Sequence, residues 1–251
     1  MNETATRALE DEIRRLPRIG KAAYLPTINK HLEQGADPNA DPFNGKKSIM
    51  VMVLDWDFPI TQQQRMETLP ILLAKGGNPL LHPSLLVKLI SKAFYLEPAI
   101  FGALQTHEEN GAPLLGMGGN NLLHLELLDS TLIEDVIGKL DKPKNASMCV
   151  KWMQQENNAG LTPLHLMWEH LDSTHLFEAW QLTQRLQHEG VALDQPTSAG
   201  TTVRSVIRQR LTTVDFDLVG EDHPALGAEI MAWMLEKDTQ TTPAIKSGRR
   251  L

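Results

Sequence analysis

Cysteine is almost missing from this chain: Cys149 stands alone among 251 residues. A single thiol excludes an intramolecular disulfide and any zinc site built on several cysteines, and it suits a reducing compartment. Long apolar runs are missing as well. The longest, Ile49 to Leu54, has the length of a buried helix and falls far short of the roughly 18–20 residues that cross a bilayer. Positive charge is in short supply: 24 Lys and Arg against 31 Asp and Glu leave a net charge of −7. That balance opposes sequence-independent binding to nucleic acid or to an anionic membrane, both of which need a basic surface. Alternation of β-branched or aromatic residues with polar ones is nowhere sustained, so strands are not expected. The first residues, Met1 to Glu12, are acidic and lack an apolar core, which does not read as a secretory signal. The expectation is a cytoplasmic protein, or one delivered into a host cytosol by a system that reads no N-terminal signal.

What is present is a rhythm of helix starts and stops. The fullest is Ala159-Gly160-Leu161-Thr162-Pro163-Leu164-His165-Leu166. Thr162 suits the N-cap, Pro163 suits the first helical position where a missing N–H is harmless, and Gly160 permits a tight turn upstream. Glycines stand before a first helix at Gly45, Gly119, Gly160 and Gly200, with gaps of 74, 41 and 40 residues. Glycines close a second helix at Gly35, Gly76, Gly111 and Gly190, with gaps of 41, 35 and 79. The largest gap in each series is about twice the others, so both landmarks give one period of about 35–41 residues. In order, the pattern predicts helices over Ala5–Leu16, Tyr24–Gln34, Lys46–Leu54, Met66–Lys75, Ser84–Phe94, Pro98–His107, Leu122–Leu128, Thr131–Leu140, Met148–Glu156, Pro163–Glu169, His175–His188, a helix ending at Arg210, and Ala225–Glu236. Asp57–Gln64 reads as a long loop and Lys142–Asn145 as a polar break.

Thr162-Pro163-Leu164-His165 resembles the signature of the ankyrin repeat, a turn followed by two antiparallel helices. Gly35-Ala36-Asp37-Pro38-Asn39 is similar to that family's turn, and Asn121-Leu122-Leu123-His124 to a degenerate form of the signature. The resemblance implies an all-α, ankyrin-type helical solenoid of about five to six stacked helix–turn–helix repeats. Its parts would be an N-terminal capping helix over 1–23, a divergent repeat domain over 24–237 and a flexible tail over 238–251. Because one helix pair is too small to bury its own apolar face, neighbours must bury it.

The residues that could carry chemistry read mostly as structure. His165 and His170 are five apart, about 140° around a helix, and do not grip one ion together with Glu169. The resemblance gives His165 a structural role, tying neighbouring turns. His124 and Glu126 point to different faces of a helix, and Cys149 sits in an apolar context where thiols are inert. Gly116, Gly118 and Gly119 fit neither phosphate-loop pattern. Trp56, between two aspartates at a helix end, is the tryptophan that suits a binding anchor. The basic tail Lys246 to Leu251 suits a solvated end or a short recognition signal.

These readings converge on a non-catalytic scaffold, an effector or regulatory adaptor, that holds another protein by its turn tips and concave face. No cofactor or metal, no nucleic acid and no membrane span is expected, and the chain should be a monomer. The candidate partner-binding residues are Asp37, Asn39, Asn44, Lys46, Lys47, Trp56, Asn78, His82, Asn120, Asn121 and Asn158. The alternative is a hydrolase or other enzyme that uses an unrecognised His/Glu site.

Overall fold

The structure, a computed structural model, describes residues 2–18, 24–40, 48–93, 96–213 and 224–235. Among these the chain is all-α, with no strand. Thirteen α-helices run in order through the described residues: α1 Glu3–Arg15, α2 Leu25–Glu33, α3 Ile49–Leu54, α4 Gln62–Ala74, α5 Pro83–Lys92, α6 Glu97–Glu109, α7 Leu122–Glu126, α8 Ile133–Leu140, α9 Pro143–Met153, α10 Pro163–His170, α11 Leu176–His188, α12 Val203–Leu211 and α13 Pro224–Leu235.

They form two rows. Helices α1, α3, α5, α7, α10 and α12 each pack on the next. Beside them, α2 packs on α4 and α4 on α6, while α8 packs on α11 and α9 wedges against α7, α8 and α10. One apolar core runs the whole length, from Ala5 and Leu9 through Leu72, Leu104 and Trp168 to Trp233. Helix α1 belongs to that core through Leu9 and Ile13, and Asn2 fastens its start by donating from its backbone N–H to the Gly35 carbonyl at 2.9 Å. The short first-row helices α7 and α10 are buried on every side, Leu122 to Leu127 and Pro163 to Trp168 without interruption. Such helices are largely apolar for that reason, with His124, Glu126 and His165 as buried exceptions.

Local chemistry explains the starts. Ser48, Thr61, Asn121 and Thr202 each stand at an N-cap with extended backbone, and their side-chain oxygens accept from a backbone N–H three residues on. Two expectations need correction. The segment 57–64 is not all loop: Thr61 and Gln64 form a capping box, so α4 begins at Gln62. Nor is 142–145 a break. Pro143 occupies the first turn of α9, the same use of proline that opens α10 at Pro163.

Candidate functional site

The starts of the first-row helices lie along one edge, and successive turns there are hydrogen-bonded to one another. Asn39 Nδ2 donates to the Gly76 carbonyl at 2.7 Å, and Asn39 Oδ1 accepts from the Asn78 N–H at 2.6 Å. Asn78 Nδ2 donates in turn to the Leu115 carbonyl at 2.8 Å. Gly116 N–H donates to the Asn120 carbonyl, Asn157 Nδ2 to Asn120 Oδ1 at 2.9 Å, and the Asn158 N–H to the Gly118 carbonyl at 2.7 Å. Ser198 closes the series on the Glu156 carboxylate through both its N–H and its hydroxyl. Those two bonds hold the Glu156 carboxyl below the usual carboxylate range. The turns can approach this closely because Gly119 and Gly160 take positive φ and carry no side chain, where a Cβ would meet Asn158 and Ser198–Ala199.

The predicted residues are distributed as follows. Asp37, half-buried, accepts from the Asn39 N–H, and its own N–H donates to Thr6. Asn39, Asn78 and Asn120 belong to the ladder just described. Asn121, 2% exposed, caps α7 and donates to the Trp152 carbonyl and to Gln155. His82 is half-buried at the start of α5, and Asn158 is exposed. The edge therefore gathers Asp37, Asn39, Asn78, His82, Asn120, Asn121 and Asn158. Trp56 stands apart, beyond the other end of α3. It is half-buried against the core with the Arg65 guanidinium 5.6 Å from its ring centre, and Arg65 donates to the Val53 and Asp55 carbonyls. Asn44, Gly45, Lys46 and Lys47, and the tail from 238 on, lie outside the described residues.

Because Asn39, Asn78 and Asn120 bond to neighbouring turns, what the edge offers outward is different: Met117, 71% exposed, with Glu156, Asn158, Ala159, Ser198, Ala199 and Thr201. No Asp, Glu, Lys or Arg occurs from Asn110 to Leu125, from Asn157 to Trp168 or from Gln195 to Val203. This edge is thus a hydrogen-bonded strip that carries no Lys or Arg in these segments, one exposed carboxylate at Glu156 and one large apolar side chain near its middle. Apart from this edge, a cleft of about 630 Å³ between α8, α11 and α13 is lined by Ile137, Phe177, Trp180, Arg185, Leu226 and Glu229.

The histidines are held in place. Asn121 N–H donates to His124 Nδ1 at 3.1 Å, so the ring proton is on Nε2, which lies 3.0 Å from the Leu161 carbonyl in the next turn. Burial lowers the His124 pKa to about 4, against the pull of that carbonyl, and the ring is neutral. His165 repeats the geometry: its Nδ1 is 2.8 Å from the Thr162 hydroxyl and 3.4 Å from the Thr162 nitrogen. Its Nε2 faces the Thr201 carbonyl without closing a hydrogen bond of ordinary geometry. Glu169 and His170 are exposed while His165 is buried, so the three do not converge. Among the described residues no group of three His, Cys, Asp or Glu is arranged to hold a metal ion.

Sequence reasoning missed one cluster. Lys139, 2% exposed, reaches Glu126 Oε2 at 3.0 Å and Glu97 Oε1 at 3.3 Å. Glu126 is itself 1% exposed. Cys149 shares this field, and burial pushes its thiol up to about 12, which keeps it protonated and unreactive. The three charged residues come from α6, α7 and α8, so no spacing in the sequence announces them.

Compared with known proteins, the chain matches no family model, no curated protein and no solved structure. Among the described residues no helix is long and apolar enough to cross a membrane.

Proposed function

We propose that the chain is a divergent ankyrin-type solenoid of about five to six helix–turn–helix repeats, and that it serves as a non-catalytic scaffold holding another protein along its turn edge. The observation that carries the reading is the bonded ladder of turns, from Asn39 and Asn78 through Asn120 and Asn157 to Ser198. A surface already locked by its own hydrogen bonds loses little conformational freedom on docking, so its contacts translate more fully into affinity. With α7 and α10 buried on every side, the partner meets the turns rather than the faces of those helices. A sparsely charged strip centred on Met117 favours a partner held by apolar contact and neutral hydrogen bonds. On this reading the protein works as a monomer in a cytosol, its own or a host's, and needs no cofactor.

The test is capture from cytosolic extract with the intact chain beside Met117→Glu/Ala159→Glu, which leaves the ladder bonds in place. A protein held by the first at both low and high salt, and lost by the second, supports the reading. Equal capture by both chains refutes the assignment of this edge.

A further inference from the structure

We infer that the Glu97–Lys139–Glu126 cluster is a proton-sensitive latch between α6, α7, α8 and α9: it is closed when Glu126 carries a proton and strained when Glu126 is charged. Two carboxylates share one ammonium inside a core where Lys139 and Glu126 are almost wholly removed from water. If all three ionise, one negative charge is left over in a poorly polarisable medium, and a buried carboxyl meets that demand by binding a proton. The geometry says which one. Glu126 Oε2 takes the lysine, while Glu126 Oε1 is buried with no hydrogen-bond partner. Glu97 Oε1 is likewise buried without a hydrogen bond of ordinary geometry, but it lies 3.3 Å from Lys139 Nζ and its side chain is 13% exposed, less cut off from water.

The groups acting on Glu126 come from the elements around it. Lys139 and Asp135 of α8 oppose each other, Glu97 of α6 adds repulsion, and Cys149 of α9 is a neutral thiol. From α5, Lys88 pairs with Asp57 outside the core. From α10, His165 is held by Thr162, and Glu169 and His170 are exposed. Burial dominates this balance and moves the Glu126 pKa up to about 7, within reach of ordinary pH changes in a cell. Helix α9 ends at the turn that carries Asn157 and Asn158, and the side chain of Asn121, five residues before Glu126, bonds to the Trp152 carbonyl in α9. Loosening the latch therefore loosens the middle of the turn edge.

Two measurements on the full chain test this. The Glu126 side-chain carboxyl, followed by carbon NMR, is expected to titrate near pH 7. Amide protection in α8 and α9 is expected to fall about 30-fold between pH 5.5 and 8.5, once intrinsic exchange is divided out, while that in α11 stays level. The fall should vanish in Glu126→Gln, or in Glu126→Met/Lys139→Leu if the single variant does not fold. Titration of Glu126 in the ordinary carboxylate range, or a protection profile in α8–α9 that does not change with pH, overturns the inference. Neither readout depends on a partner, so the outcome is separate from the proposed scaffold role.

Discussion

Two neighbouring stretches, Gly119 to Thr131 and Gly160 to Thr174, run through the same parts in the same order. Each has a positive-φ glycine, a capping side chain (Asn121 or Thr162), a histidine three residues on (His124 or His165), and then Leu-Asp-Ser-Thr leading into a second helix. In both, the aspartate accepts from the threonine N–H, at 3.1 Å for Asp129 and Asp172 alike. Their cores then part. Two residues after the histidine stands Glu126 in one and Met167 in the other, and ten residues after the aspartate stands Lys139 in one and Leu182 in the other. All four are buried. One backbone plan thus accepts either an ion pair or two apolar side chains at matching depth. A buried ion pair is consequently not required for this packing; desolvation offsets most of what the two charges gain from each other.

That comparison can be broken directly. Lys139→Leu alone leaves Glu97 and Glu126 facing each other without a cation and should cost about 3–5 kcal/mol, the usual penalty for stranding a buried charge. Glu126→Met/Lys139→Leu, which copies the neighbouring stretch and leaves only Glu97, itself 13% exposed, without the cation, should return the protein to within about 1 kcal/mol of the parent or above it. Chemical denaturation of the two variants beside the parent decides the point. A double variant as unstable as the single one would mean that the charges hold the fold in a way Met167 and Leu182 do not.

The next effect is a pair of opposed pH dependences two residues apart. The folded pKa of Glu126 is raised, so its contribution to stability is present below about pH 4.5 and is lost as pH rises through about 7. That of His124 is lowered, so its contribution is present above about pH 6.5 and is lost as pH falls through about 4. Each shift corresponds to something on the order of 3 kcal/mol, and over the shared window they largely cancel. The contribution of Lys139, whose pKa is raised, is lost only above its usual alkaline range and does not enter. Glu126→Gln should therefore uncover a loss of stability toward pH 4, and His124→Gln a loss toward pH 8. Unfolding curves between pH 4 and 8 that shift in parallel for both variants would disprove the opposition.

The turn glycines sharpen the comparison at a smaller scale. Both have positive φ, near 77° at Gly119 and 73° at Gly160. A methyl at Gly119 would meet chiefly the Asn158 side chain, which can move, with the Asn158 backbone nitrogen at 3.1 Å, whereas one at Gly160 would sit 2.7 Å from the backbone nitrogen of Ala199. Gly160→Ala should cost about 2–3 kcal/mol and Gly119→Ala about 1–2, both measurable as a shift of the thermal midpoint. Equal losses would show that backbone strain alone governs these turns.

What is legible in the amino-acid sequence follows from range. Caps and stops are local, so Thr162, Pro163, Gly35 and Gly76 announce helix ends that the structure contains. Thr61 and Pro143 carry the same kind of signal. Reading their segments by polarity instead of by capping misplaces two boundaries. The repeated Leu-Asp-Ser-Thr at Leu128–Thr131 and Leu171–Thr174 is equally local, and it aligns the two stretches from their residues alone. The cluster of Glu97, Lys139 and Glu126 is not legible, because its members sit on three helices and each resembles an ordinary surface charge. The ladder lies between these cases. Asparagines in turns suggest an exposed, partner-facing role, yet their amides are taken up by the adjoining turns, which only the stacking of the rows determines.

The finest contrast is between the two histidines. Each uses Nδ1 to bind back to its cap, so each should lose about the same local stability when changed to leucine. They differ at Nε2: that of His124 reaches the Leu161 carbonyl at 3.0 Å, while that of His165 is buried without a partner of ordinary geometry. A net hydrogen bond contributes about 1 kcal/mol, and a buried donor left without one costs a similar amount. His124→Leu should accordingly destabilise by about 1–2 kcal/mol more than His165→Leu, measured at pH 7.5, where both rings are neutral. If His165→Leu proved the more costly, its Nε2 would have to close a bond to Thr201 in solution. The two turns would then be joined to their successors in the same way, leaving Glu126 and Lys139 as the principal difference between the stretches.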